Sequence, residues 1–261
     1  TLAEDAPTLD VDICVMLKQQ NKAFKIEKHT HNYPHCWRTD KPVLYYPLDS
    51  WFIKVTDLRE RMVELNKTIK WQPESTGSGR FGKWLENARD WNLSRNRFWG
   101  TPIPVWLSDD GDMIAVGSIE ELKDLTGVEL NDLHKHFVDK LTIEKDGKVY
   151  HRTPEVFDCW FESGSMPYAS RHYPFENKEL VEKSFPADFI AEGLDQTRGW
   201  FYTLTVLSNA LFQKPAFKNV IVNGIILAED GTKMSKSKRN YPDPNDLIER
   251  TGSDAIRLFM I

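Results

Sequence analysis

The chain has 261 residues, 40% hydrophobic and 12% aromatic, enough for one large domain or two small ones with a sizeable core. A net charge of −5 excludes a generally basic protein that coats nucleic acid, though not a local basic patch. Three scattered cysteines, Cys14, Cys36 and Cys159, exclude a disulfide framework and fit a reducing, cytoplasmic setting.

The N-terminal TLAEDAPTLD is acidic and reads as no signal peptide, and no apolar run is long enough to span a membrane. The chain lacks an initiator Met and stops on Ile261 in mid-pattern, so both ends are expected to be cut from something longer. Residues 11–17 fit the start of a helix or a strand, and residues 24–28 alternate as a strand does. His29, His31, His35 and Cys36 cluster, but their spacing matches no closed tetrahedral zinc pattern, so no protein-bound metal is expected. Tyr45, Tyr46, Trp51 and Phe52 read as packing residues.

Residues 56–69 read as a helix, with Thr56 as N-cap and Leu58, Met62, Leu65 and Ile69 on one face. Residues 72–82 read as a polar, glycine-rich linker. Within it Gly77, Gly82 and Lys83 approximate the phosphate-binding pattern G-x-x-x-x-G-K. Trp84 stands where a Mg2+-binding Ser or Thr is needed, and no buried strand is expected ahead of the loop. Residues 90–106 carry Arg95, Arg97, Pro102 and Pro104; the prolines suit a stiff turn, and the arginines read as salt-bridged scaffold.

Residues 107–153 read as a small insertion without chemistry. Ser118 and Glu121 form a capping box for a short helix that Gly127 ends. Asp146-Gly147 marks a hairpin, and His134 and His136 are expected to face solvent. From Thr153 onward the pattern becomes α/β. Residues 189–191 read as a strand, and Trp200, Leu204, Leu207 and Leu211 give one face of a helix ending before Pro215. Residues 219–227 read as a strand apolar enough to be buried on both faces. Asp243 caps a helix with Pro244 at its start, and Ser253 opens a last helix. Strand, helix, strand in this order predicts an α/β fold on a Rossmann-like, doubly wound parallel sheet. Ligands of such sheets bind at the carboxyl ends of strands, where Glu192-Gly193 and the loop after residue 227 both fall.

That loop runs Lys233-Met234-Ser235-Lys236-Ser237-Lys238-Arg239, four cations in seven residues, which suits a polyanion such as a triphosphate. Its first five letters, KMSKS, resemble the characteristic loop of the class I aminoacyl-tRNA synthetases. The resemblance extends to HNYPHCWR (31–38), WNLSRNRFWGTPIPVW (91–106), DCWFESGS (158–165) and DFIAEGLDQTRGWFYTL (188–204), in the family's order and over most of the chain. GLDQTRGWF resembles the isoleucyl branch of that family.

The resemblance implies four parts: residues 1–50 as the end of the inserted editing domain, 51–106 as linker and re-entry into the catalytic domain, 107–153 as a small insertion, and 154–261 as the second half of the catalytic domain. It implies isoleucine, ATP with Mg2+ as a substrate complex, and, for the full-length enzyme, tRNA(Ile). Lys236, and secondarily Lys233, would neutralise the departing pyrophosphate from a mobile loop. Glu192, Gly193, Asp195, Gln196 and Ser235, with Lys236, would hold ATP and the adenylate. Trp160 and Trp200 would wall the isoleucine pocket, since aromatic faces suit a branched chain without a polar handle. Taken without the resemblance, both tryptophans read as core residues and Asp195 as a helix cap. One methylene separates isoleucine from valine by only about 1–3 kcal/mol, the physical reason for an editing domain.

The family's other motif, HIGH, is nowhere in the sequence. The chain is therefore expected to be a fragment, and inactive by itself. Two other readings stand beside this one. A non-catalytic synthetase-like module binding tRNA or a protein is disfavoured by the intact KMSKS and GLDQ segments. An unrelated P-loop enzyme is disfavoured by Trp84.

Overall fold

Residues 9–36, 39–235 and 238–260 are described in the computed structural model of the chain. They divide between two compact units, with the division between Asp49 and Ser50.

In the first unit the ambiguous N-terminal stretch is a helix, α1 (Leu9–Gln19), with Asp10 and Asp12 in its first turn and Lys18 in its last, as the helix dipole favours. The alternation at residues 24–28 gives no strand, and Phe24 stands fully exposed. Alternation alone does not hold a strand that has no neighbour to pair with. His35 and Pro42 form an isolated bridge, closed by a turn in which Asp40 N–H donates to Cys36 O at 2.8 Å. The rings of His29, His31, Tyr33 and His35 follow one another at 5.8, 6.1 and 6.3 Å, a row rather than a convergent set. Among the described residues no group of three His, Cys, Asp or Glu side chains is arranged to hold a metal. Tyr45 and Tyr46, expected to pack, are exposed.

The second unit runs β1 (Phe52–Ile53), α2 (Arg59–Asn66), β2 (Lys70–Gln72), α3 (Gly82–Glu86), β3 (Trp91–Asn92), β4 (Ser94–Arg95), β5 (Val105–Ser108), β6 (Met113–Ala115), α4 (Ile119–Thr126), α5 (Lys135–Val138), β7 (Thr142–Lys145) and β8 (Lys148–Arg152). It continues through β9 (Val156–Phe157), α6 (Cys159–Ala169), α7 (Lys178–Ser184), β10 (Ile190–Gly193), α8 (Trp200–Phe212), β11 (Asn219–Asn223), α9 (Pro244–Thr251) and α10 (Ser253–Met260).

The parallel sheet is present, with three strands in the order β10–β11–β2 and Ile190, Val220 and Trp71 side by side. Val220 and Val222 point into the main core with Trp71, Phe81, Phe201 and Phe217. Trp71 organises that core: its ring lies 4.9 Å from Phe81, 5.8 Å from Phe201 and 6.1 Å from Phe217.

Several local expectations need correction. The strand expected over 219–227 stops at Asn223, and Ile221, Ile225, Ile226 and Leu227 are exposed. The core presses on one face of this sheet, so only alternate residues of β11 are covered. In α8 every residue from Phe201 to Asn209 is buried, not a single stripe, because the helix packs on α6 and α2 as well as on the sheet. The helix expected over 56–69 is a 3-10 turn (Val55–Asp57), then α2, then the entry to β2. Thr56 caps nothing there. Its N–H and hydroxyl both donate to Asp90 Oδ1, at 3.0 and 2.8 Å.

The glycine-rich linker is folded as a π-helical turn (Thr76–Phe81) leading into α3; the strand ahead of it, β2, is short and buries only Trp71. Gly77 is nonetheless no phosphate loop residue. A Cβ at this position would lie 2.2 Å from Trp71 Cδ1, and its carbonyl accepts from Asn66 Nδ2 at 2.9 Å. Asn66 Oδ1 in turn accepts from Trp71 Nε1 at 2.9 Å, so the glycine serves packing.

Residues 105–152 hold an antiparallel sheet in the order β6–β5–β8–β7 over a small core of Trp106, Val116, Leu122, Ile143 and Tyr150. Ser118 Oγ accepts from Glu121 N–H at 3.0 Å, and Glu121 Oε2 reaches back to Gly117 N–H at 2.6 Å. Gly127, at φ 71°, ends α4. Asp146 and Gly147, at φ 50° and 74°, make the hairpin turn. His136 is exposed, but His134 is not simply solvated: it stacks on Trp99 at 4.3 Å, and its Nδ1 lies 2.6 Å from Asp132 Oδ1. Asp243 Oδ1 accepts from Asn245 N–H at 2.8 Å and caps α9, which has Pro244 in its first turn.

Candidate functional site

The carboxyl ends of β10 and β11 lie in parallel register, Glu192 beside Val222 and Gly193 beside Asn223. The two segments singled out for chemistry therefore leave the sheet from the same edge. Glu192 is exposed there. After Gly193 the chain makes a 3-10 turn, Leu194–Arg198, before α8. Thr197 is the buried pin of that turn: its hydroxyl donates to Leu194 O at 2.8 Å and accepts from Arg80 Nε at 3.0 Å. Asp195 is left exposed, with Gln196 Nε2 at 3.4 Å from its Oδ2. Gln196 Oε1 accepts from Trp200 N–H at 3.0 Å, so this side chain caps α8 and Asp195 does not.

Gly199 is where two of the candidates meet. A Cβ there would stand 2.8 Å from Gln196 Oε1 and 3.1 Å from Trp160 Cη2, so a side chain at this position would push both neighbours back. Trp160 extends from the first turn of α6 and is 38% exposed. Trp200 is half-buried, and its Nε1 donates to Ser163 O on α6 at 2.9 Å.

Trp160 lines a cavity of about 660 Å3 together with Trp84, Trp91, Arg95, Asp158 and Arg198. Arg198 lies over the Trp84 ring, 4.7 Å from its centroid. Tyr202 and Asp90 also border this space. Burial, with the nearby Asp90 charge adding to it, pushes the Tyr202 phenol up to about 12. The Thr56 backbone and hydroxyl hold the Asp90 carboxyl below its ordinary value. Trp200, Glu192 and Asp195 are not among the residues lining the cavity. The structure thus brings Trp160, Gln196 and Trp200 together around Gly199 and leaves Glu192 and Asp195 on the exposed strand-end side.

On the lysine loop, Lys236 and Ser237 lie outside the described residues. Lys233 is exposed and bridges Leu227 through its backbone. Met234 is half-buried. The loop is also held by polar ties that the sequence reading missed. Asn240 Oδ1 accepts from Ser235 N–H at 2.9 Å, and Asn240 Nδ2 donates to Thr232 Oγ1 at 3.1 Å and to Lys233 O at 3.2 Å. An Asn closing a polar loop is a turn signal that was available in the sequence. Arg80 and Asp158 offered no such signal, since their partners are remote along the chain. For Arg95 the scaffold reading holds: its Nη2 lies 2.9 Å from Asp158 Oδ2.

Two segments thus leave the carboxyl edge of a parallel sheet, and the sequence of one of them reads KMSKS. A family model described as tRNA synthetases class I (I, L, M and V) matches residues 11–261, and the chain belongs to that family. Among its relatives, the isoleucine–tRNA ligase of Chlamydia abortus is 61% identical over 97% of this chain and 24% of its own length. That of Protochlamydia amoebophila is 62% identical over the same shares. The chain spans about a quarter of the length of these relatives. Among solved structures, Mycobacterium tuberculosis methionyl-tRNA synthetase bound by methionyl-adenylate has a TM-score of 0.54 at 18% identity, covering 87% of this chain and 36% of that one. This likeness bears on the fold alone.

Proposed function

We propose that the chain is part of an isoleucine–tRNA ligase, which activates isoleucine with ATP and transfers it to tRNA(Ile). The observation that carries this reading is 61–62% identity along 97% of the chain to proteins of that name. In this reading residues 1–50 end the editing insertion, 51–106 lead back to the catalytic domain, 107–153 form a small insertion, and 154–261 supply the second catalytic half.

An isoleucine carboxylate oxygen attacks the α-phosphorus of ATP; the bond to the β-phosphate breaks and pyrophosphate leaves. A hydroxyl at the tRNA 3′ end then attacks the adenylate carbonyl and AMP leaves. Mg2+ enters with ATP and neutralises phosphate charge. The chain's own work is alignment and charge neutralisation. Lys236 and Lys233 approach the pyrophosphate as its charge grows, with the Ser235 segment shaped by Asn240. Glu192, Gly193 and Asp195 hold ribose and amino-acid groups at the strand end. Gln196 orients the start of α8 through Trp200 N–H, and its amide remains beside the adenylate. Trp160 and Trp200 flank the isoleucine side chain from the α6 and α8 sides.

The reading places the enzyme in the cytoplasm; no described helix is long and apolar enough to cross a membrane. The test is isoleucine-dependent exchange between pyrophosphate and ATP. In the full-length enzyme, Trp200→Ala should weaken isoleucine far more than ATP, and Lys236→Ala should slow activation with little effect on isoleucine affinity. Equal losses in both measurements would overturn this division of roles. The isolated chain should give no exchange above its Lys236→Ala variant, because effects of groups around a transferring phosphorus are strongly interdependent and the HIGH motif is not in it.

A further inference from the structure

Asp158 joins three elements at one buried charge. Its side chain is 7% exposed, and that of Arg95 is 35% exposed. Oδ2 accepts from Arg95 Nη2 at 2.9 Å and from Trp91 Nε1 at 3.0 Å. Oδ1 accepts a longer bond, 3.5 Å, from Trp160 N–H in the first turn of α6. The Asp158 N–H donates to Leu93 O at 2.7 Å. Arg95 is itself held: its Nη1 donates to Asn92 O at 3.0 Å and to Ser94 O at 2.8 Å. The successive strands β3 and β4 are thus tied through a carboxylate to the helix turn from which the Trp160 indole extends.

The indole tip lies beside Gly199 on its other side. Its Cη2 approaches Gly199 so closely that a Cβ there would sit 3.1 Å away. The wall is tied at its base through the Asp158 carboxylate, and its tip occupies space that a residue without Cβ leaves open.

We propose that Asp158 and Arg95 are positioning residues for Trp160, and through it set the discrimination of the aliphatic side chain. The proposal rests on the reading of Trp160 as a wall of the isoleucine pocket. Charge-assisted hydrogen bonds are about twice as strong as neutral ones, and a buried carboxylate that loses its cation is left uncompensated. Without Arg95 the carboxylate turns toward water and the first turn of α6 turns with it. Selection against a missing methylene amounts to only about 10–200-fold, so a small displacement of the wall erodes it.

The experiment uses the full-length enzyme carrying this segment, in isoleucine- and valine-dependent pyrophosphate exchange. Arg95→Met should raise the isoleucine KM about tenfold, hold the ATP KM within about twofold, and lower the preference for isoleucine over valine. Trp91→Phe, which removes only one donor to Asp158, should act in the same direction and less. Arg95→Lys should restore part of the loss. In a Trp160→Ala background, Arg95→Met should add less than about a further twofold, because both act through one side chain. If Trp160→Ala itself leaves the isoleucine KM unchanged, the pocket reading fails. If Trp160→Ala raises it and Arg95→Met does not, or the two effects simply multiply, the positioning role fails while the pocket reading stands. Should Arg95→Met not fold, as judged by circular dichroism, Trp91→Phe alone and in the Trp160→Ala background decides the matter by the same criteria.

Discussion

Arg80 Nε donates to the hydroxyl of Thr197 at 3.0 Å across 117 residues of sequence, and Thr197, fully buried, passes a second bond to Leu194 O at 2.8 Å. The turn that presents Asp195 and Gln196 is therefore braced from the π-helical segment after β2. Removing Arg80 as Arg80→Met should loosen residues 194–199, with amide hydrogen exchange there faster by roughly fivefold for a bond worth about 1 kcal/mol. Thr197→Val, which removes both bonds and leaves the Arg80 donor without its acceptor, should have the larger effect. Unchanged exchange in both variants would show that the brace does not hold the turn.

The three bonds made by the Asn240 amide shape the lysine loop. Asn240→Ala in the full-length enzyme should lower the rate of isoleucine activation by about tenfold while the isoleucine KM stays put, since the loop acts on the transition state and not on the amino acid. Asn240→Asp keeps the acceptor and loses the donors, and should fall between. A rise in isoleucine KM without loss of rate would place Asn240 elsewhere in the mechanism.

Gly77 and Gly79 make a matched pair for a stability test. A methyl at Gly77 meets the Trp71 ring at 2.2 Å, whereas one at Gly79 has open space around it. Gly77→Ala should cost at least about 2–3 kcal/mol through displacement of the ring at the centre of the main core. Gly79→Ala should be neutral or slightly stabilising through the unfolded chain. Urea unfolding midpoints read both; equal midpoints would remove Trp71 from the centre of the packing.

Asp90 accepts from Thr56 twice, and its carboxyl is held below its ordinary value by those bonds first, with Lys54 and Arg59 adding to them. A depressed folded value means the contribution is present above the unfolded value and is lost as pH falls through the folded one. The denaturation midpoint should therefore drop as the pH falls below the ordinary carboxylate value, about 4. It should drop less in Asp90→Asn, which does not titrate. Parallel pH profiles for the two proteins would show that other carboxylates carry the acid sensitivity.

Reading along the chain recovered what local chemistry decides. The capping box at Ser118, the Asp146-Gly147 hairpin, the Asp243 cap and the parallel α/β segment all follow from neighbours in sequence. What it missed was decided by distant partners. α6 contains Pro167 together with Gly164, two serines and a cysteine, a composition that argues against a helix; it stands because α8 packs along it. Ile225, Ile226 and Leu227 were read as buried from their character alone, but they follow the end of β11 and are exposed among the described residues. Arg95 and Asp158 meet by folding, with no period to announce it, and Trp91, quoted only within its motif, donates to the same carboxylate.

The order of strands in the parallel sheet also has a consequence in time. Strands β7 and β8 join across a two-residue turn, and the antiparallel sheet around them closes within one short stretch. Asn219, by contrast, pairs with Lys70, about 150 residues back along the chain. Each doubling of a loop adds only about 0.6 kcal/mol to its closure, but the non-local pairing is rewarded only after the whole loop is ordered. On the ribosome the pairing of β2 with β11 must wait until β11 emerges, after the intervening sheet. The edge that carries Glu192 and the lysine loop is then completed only after the intervening antiparallel sheet.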